Sequence, residues 1–246
     1  MLCVCRVGVA AVLAVGTIGY AQAADMPDLP PPLPAPPRPT FVPAWIGSGW
    51  YLRGDLGWRM GLVGAVHSAP GFPDPTNNKL DSAFTGGGGV GIKSSYLRTD
   101  FTIDYASPAK YTGTVAAPDD TSAKIQSINF LFNGYLDLGT WYRFTPYIGA
   151  GAGTALVSVN DYHSTGAPPF FGNTDHSQWT FAWAGMAGVA WAVAPNLMID
   201  IGYRYLNVGN ARTSSSALGA MKFDNIAGNE VRVGLRWSFD DLREYR

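Results

Sequence analysis

The stretch VRVGLRWSF, residues 231–239, decides the fold. Val231, Val233, Leu235, Trp237 and Phe239 are apolar or aromatic, while the intervening Arg232, Gly234, Arg236 and Ser238 are charged or small. Side chains on a β-strand alternate sides, so this strand has one apolar face and one cationic face. In a soluble sandwich the apolar face packs on a core and the arginines meet water. In a membrane barrel the apolar face meets lipid and the arginines point into the lumen.

The same alternation recurs upstream. Leu52, Gly54, Leu56, Trp58 and Met60 oppose Tyr51, Arg53, Asp55, Gly57 and Arg59. Leu97, Thr99, Phe101, Ile103 and Tyr105 oppose Arg98, Asp100, Thr102 and Asp104. Leu197, Ile199, Ile201, Tyr203 and Tyr205 oppose Met198, Asp200, Gly202 and Arg204. Softer versions place Trp179, Phe181, Trp183 and Trp191 against alanines, and Ile128, Phe130, Phe132 and Leu136 against Ser127, Asn129 and Asn133. TGGGGVGIKS and YIGAGAGTA are glycine-rich, and small inward residues would leave room for long arginines opposite.

Eight strands are predicted, at residues 50–60, 83–94, 96–106, 123–137, 143–159, 179–193, 196–207 and 229–239. Their connections alternate, with long loops at 61–82, 107–122, 160–178 and 208–228 and short turns at 94–95, 138–142 and 192–196. Four long loops at one end and three short turns at the other fit an all-β, eight-stranded antiparallel up-and-down transmembrane barrel over residues 47–239. Both termini fall on the short-turn side, which in outer-membrane barrels is the periplasm.

The polar faces collect Arg53, Asp55, Arg59, Lys93, Arg98, Asp100, Asp104, Asp200, Arg204, Arg232 and Arg236, seven cations and four carboxylates. Inside a narrow barrel such charges must pair, because an unpaired buried charge is costly. The leading expectation is an interior ion-pair network. The alternative is a small pore with an anion preference lined by the surplus cations. Aromatics are expected in two girdles. Trp50, Phe144, Trp191, Trp237 and Phe239 would mark the periplasmic interface, and Trp58, Tyr105, Trp179, Phe181, Trp183, Tyr203 and Tyr205 the outer one.

Composition agrees. Charged residues are 14% of the chain, against roughly 25% in typical soluble domains, while glycine reaches 30 residues and aromatics 13%. The near balance of 17 basic and 18 acidic residues gives no basic footprint, so no nucleic-acid partner is expected. Arg6, an apolar run at 7–20 and the AQAAD junction read as a secretory signal over residues 1–23, cut after Ala23. Cys3 and Cys5 leave with it, so the mature chain must close its own hydrogen bonds without disulfides. Residues 24–46 contain PDLPPPLPAPPRPTFVP, a proline-rich linker that favours extended polyproline II and is expected in the periplasm.

The stretch GSGWYLRGDLGW, residues 47–58, resembles the first strand of small outer-membrane β-barrel proteins of the Omp25/Omp31-like porin family of alphaproteobacteria. The AQAADMP junction with its proline-rich linker is similar to that group, as are YIGAGAG, IDIGYRYL and NEVRVGLRWSF further along. The resemblance implies a bacterial outer-membrane location and insertion by the barrel-assembly machinery. The insertion signal it implies is carried by Arg232, Gly234, Trp237 and Phe239. Such chains commonly end at the final aromatic, whereas this one continues with DDLREYR, a tail at 240–246 expected in the periplasm.

Other chemistry is weak. Gly86, Gly88 and Gly91 match a dinucleotide fingerprint, but another strand rather than a helix follows them, so no cofactor is expected. His67, His163 and His176 all fall in predicted long loops, no serine neighbours them in an activating pattern, and no metal spacing is met. The expectation is no enzyme. Phe170 and Phe171, in PPFFGN, are candidates for loop recognition or for folding back on the barrel mouth. The expected partners are outer-membrane lipid and lipopolysaccharide, the assembly machinery, and cell-wall or host-surface contacts. The leading functional expectation is envelope integrity with surface-exposed loops. The alternatives are a narrow porin and a surface adhesin or host-recognition protein.

Overall fold

A computed structural model describes residues 49–68, 71, 74–116, 119–164, 170–171, 176–212 and 222–239. The expected signal segment at 1–23, the linker at 24–46 and the tail at 240–246 lie outside these residues. The described strands are β1 (Gly49–Leu62), β2 (Val66–His67), β3 (Thr76–Leu80), β4 (Ala83–Ser94), β5 (Leu97–Ala116), β6 (Asp119–Asp137), β7 (Phe144–Ser164), β8 (Phe170–Phe171), β9 (His176–Ala194), β10 (Leu197–Arg212) and β11 (Lys222–Ser238).

Eight of them close a barrel. Neighbours run β1-β4-β5-β6-β7-β9-β10-β11, and β11 pairs back onto β1. The closing ladder is antiparallel from Tyr51↔Ser238 to Leu62↔Ala227. Closure leaves no unpaired edge along the wall, which a strand-built membrane span requires. The first and last strands therefore begin and end at the short-turn end. The alternation read from VRVGLRWSF holds: Val231, Val233, Leu235, Trp237 and Phe239 are exposed, and Arg232, Gly234, Arg236 and Ser238 are buried. Trp58, Trp179, Phe181, Trp191 and Trp237 all stand on the outer surface, so the molecule is apolar outside and polar within.

The strands outrun their expected ends on the long-loop side. β5 has 20 residues and β7 has 21, where about ten cross an apolar layer. Much of the expected loop at 107–122 is strand, because a bulge between Ala106 and Ala109 absorbs Ser107 and Pro108 and pairing resumes to Ala116. The one extra residue on β5, three steps against two on β6, places Ala106 and Ala109 both inward, so the period-two pattern changes phase there. β2, β3 and β8 are short strands within the expected loops, pairing with β11, β5 and β7.

The short turns are tight. Trp141 and Phe144 exchange backbone hydrogen bonds of 2.8 Å each, and Tyr142 (φ 47°) and Arg143 (φ 75°) are both left-handed. That is the mirror-type hairpin turn whose twist suits flanking strands. Arg143, expected to open a strand, is a turn residue.

Candidate functional site

Two regions could carry function, the lumen and the rim at the long-loop end. All eleven charges singled out in the sequence lie in the lumen, with side chains at most 11% exposed wherever they form ion pairs. Asp137 and Glu230 join them, pairing with Lys93 at 2.9 Å and with Arg204 at 2.6 Å. Among the described residues the interior then holds seven cations and six carboxylates rather than seven and four. The period-two phase of Ser127, Asn129 and Asn133 runs on to Tyr135 and Asp137, and Glu230 stands two before Arg232. One more step along each face finds both acids.

The charges interlock across the barrel. Arg204 donates from Nη1 to Asp104 (2.6 Å) and from Nε to Glu230 (2.6 Å). Arg232 reaches the other Asp104 oxygen at 2.7 Å. Arg59 donates to Glu230 at 2.5 Å and to Ser127 Oγ at 3.1 Å. Arg53 grips Asp55 through two nitrogens (2.9 and 2.7 Å) and donates from Nη1 to Asp100 (2.8 Å) and Tyr135 (2.7 Å). Tyr51 and Asn133 also donate to Asp100, at 3.0 and 2.8 Å. Toward the short turns, the Arg98 guanidinium lies 4.5 Å from the Tyr135 ring centre and 4.8 Å from that of Tyr147. Cations over aromatic faces in a dry interior attract more strongly than at a surface.

Inward glycines make room for these side chains. A Cβ on Gly87 would run into Asp104, on Gly151 into Asn133, and on Gly234 into Asp55. Gly234 thus has a packing reason to be glycine, apart from any part in an assembly signal. Of the other residues the family resemblance assigns to that signal, Arg232 is interior, and Trp237 and Phe239 are 50% and 60% exposed on the outer wall.

Toward the long-loop end the lumen turns apolar. Val66, Tyr111, Ile125, Leu131, Val157, Val159, Leu206 and Phe223 belong to one buried cluster. Tyr111 and Phe223 meet edge to face, with ring centres 5.0 Å apart. Sequence reasoning missed this cap, because Val66, Tyr111 and Phe223 lie in what reads as loop and the rest are apolar residues on otherwise polar inner faces. Two cavities among these layers have volumes of about 20 and 30 Å³. A cavity of that size holds about one water.

The rim is polar. His67 bridges two carboxylates, Asp74 at 2.9 Å from Nδ1 and Asp224 at 3.6 Å from Nε2, and Lys222 pairs with Asp224 at 2.8 Å. The Ser68 N–H and His67 hold the Asp74 carboxyl below its ordinary range. Lys124 and Asp161 pair at 2.8 Å, raising the lysine and lowering the acid. The three histidines, expected in loops, lie on strands β2, β7 and β9. Phe170 and Phe171 form β8, whose backbone pairs with Ser164 and His163.

Comparison with known proteins follows this geometry. The family model described as outer membrane protein beta-barrel domain matches residues 10–239. A protein of Brucella suis biovar 1, itself uncharacterized, is 29% identical over 96% of this chain and 98% of its own length. Outer membrane protein PagN of Salmonella typhimurium is 28% identical over 81% of this chain and 95% of its own. A candidate adhesin of Rickettsia conorii is 26% identical over 78% of this chain and 83% of its own. An apolar-outside, closed eight-stranded barrel and a family match over most of the chain lead to one conclusion: this protein belongs to the outer membrane protein beta-barrel domain family, and its place is the bacterial outer membrane.

Proposed function

We propose that this protein is a non-conducting, non-enzymatic anchor that supports the outer envelope and holds an extended rim outside it. Its termini lie in the periplasm, and its narrower kinship is with the Omp25/Omp31-like group. The observation that carries the reading is the filled lumen: a charged layer interlocked through Arg53, Asp104, Arg204 and Glu230, beneath an apolar cap around Tyr111 and Phe223. A conducting pore would need a continuous polar path, and the apolar layer interrupts one. Partners follow from the surfaces. Acyl chains of outer-membrane lipid cover the aromatic outer wall, lipopolysaccharide surrounds the rim, and the assembly machinery inserts the chain.

Adhesion is the second reading. It is favoured by strands that rise well past the apolar band and by the Rickettsia relative described as an adhesin. A deletion strain separates the two. On the first reading, loss of the protein sensitises cells to detergent, and a variant with residues 165–175 replaced by a short turn restores resistance. If only the full-length rim restores a phenotype, and that phenotype is surface attachment, the second reading replaces the first.

A further inference from the structure

The interior charges do not cancel. Among the described residues, Arg53, Arg59, Lys93, Arg98, Arg204, Arg232 and Arg236 face Asp55, Asp100, Asp104, Asp137, Asp200 and Glu230, so seven cations meet six carboxylates and one positive charge is left over. An uncompensated charge in a dry interior is strongly unfavourable, and a group of opposite sign relieves it. Two guanidinium nitrogens, Nη2 of Arg204 and Nε of Arg232, have no hydrogen-bond partner among the described residues. Their side chains are 1% and 9% exposed. Both arginines line the cavity of about 20 Å³, together with Arg53, Asp55, Tyr147 and Asp200.

We propose that this cavity binds one monatomic anion, a halide such as chloride, between Arg204 and Arg232. Size excludes larger anions, since about 10–15 Å³ of such space is needed for a single water and a tetrahedral oxyanion needs several times more. The two carboxylates on the wall do not repel it unopposed. Asp55 is held by two nitrogens of Arg53, and Asp200 faces Arg236 at 3.3 Å. A water would satisfy the free donors but leave the surplus charge, whereas a halide answers both. The location is specific. Arg98 and Arg236 also carry unpartnered nitrogens, but neither lines either cavity. Arg59 lines the other cavity, whose walls are mostly apolar and suit a water rather than an ion.

The test uses the full-length folded barrel in detergent. Crystals grown in bromide should show an anomalous peak between Arg204 and Arg232. Thermal unfolding should move upward in chloride and bromide relative to gluconate at equal ionic strength, saturating with halide concentration as a ligand of the folded state does. No peak, together with stability that follows ionic strength alone, overturns the proposal in favour of a water. Arg232→Gln removes the surplus charge and should abolish the halide dependence. Because Arg232 also holds Asp104, Met186→Phe, which fills the cavity from β9, provides a second variant with the same expected loss.

Discussion

Gly87 and Gly185 both lie mid-strand, yet a methyl group at each would meet different surroundings. At Gly87 it would strike the Asp104 carboxylate and come within 2.6 Å of the Ile103 carbonyl; at Gly185 nothing lies within 4 Å. Gly87→Ala should therefore cost about 1–3 kcal/mol in urea unfolding of the lipid-reconstituted barrel, as other overpacked sites do. Gly185→Ala should stay within about 0.5 kcal/mol of the parent. Equal losses at both would mean the inward glycines are not there for room. Asp104 receives both Arg204 and Arg232. Asp104→Asn removes the charged partner shared by two buried guanidinium groups and should destabilise by about 3–5 kcal/mol in the same unfolding assay. Asp161→Asn breaks an exposed pair and should leave stability unchanged within error. At this scale the sequence was legible in direction but not in partner. A two-residue period says that Arg204 points inward, but the approach of Asp104 from 100 positions away follows from strand order and barrel stagger.

The strands show where pattern reading stops. β1 and the lower halves of β5, β10 and β11 keep strict alternation, and there the sequence assigns each face correctly. Past the bulges at Ala106/Ala109 and Asn207/Gly209 the phase slips, and buried residues such as Tyr111 and Ala211 no longer match a simple extension of the strand below. Part of the apolar cap, including Val66, Tyr111, Ala211 and Phe223, therefore hid in what reads as loop. The rim built by these extensions is fastened by polar ties, and one of them titrates. Asp74 accepts from Ser68 N–H and His67, and these hold its carboxyl below the ordinary value of about 3.9. With the folded value lowered, the tie contributes fully above the unfolded value and is lost as pH falls through the folded one. The Ser68 amide proton followed by NMR should thus shift with a midpoint below that of an unstructured aspartate. A midpoint at or above it would mean the tie does not form.

Taken whole, the molecule is a closed wall around a filled interior. Lipid meets the aromatic outside, charges interlock within, and an apolar layer lies beneath the polar rim. Closure, antiparallel order and the shared end at which β1 begins and β11 ends were readable from eight alternating runs and their loop lengths. The filling was read only in part, because Asp137 and Glu230 were not counted on the inner faces of their runs and part of the apolar layer lay in the expected loops. The central claim is that this filling blocks passage. It is tested most directly by single-channel conductance of the folded barrel in a planar lipid bilayer. The account predicts a heat-modifiable, inserted barrel with no current steps across the voltage range. Discrete steps that change size when Arg232 or Arg236 is neutralised would contradict it, and would mean that ions pass along the charged face.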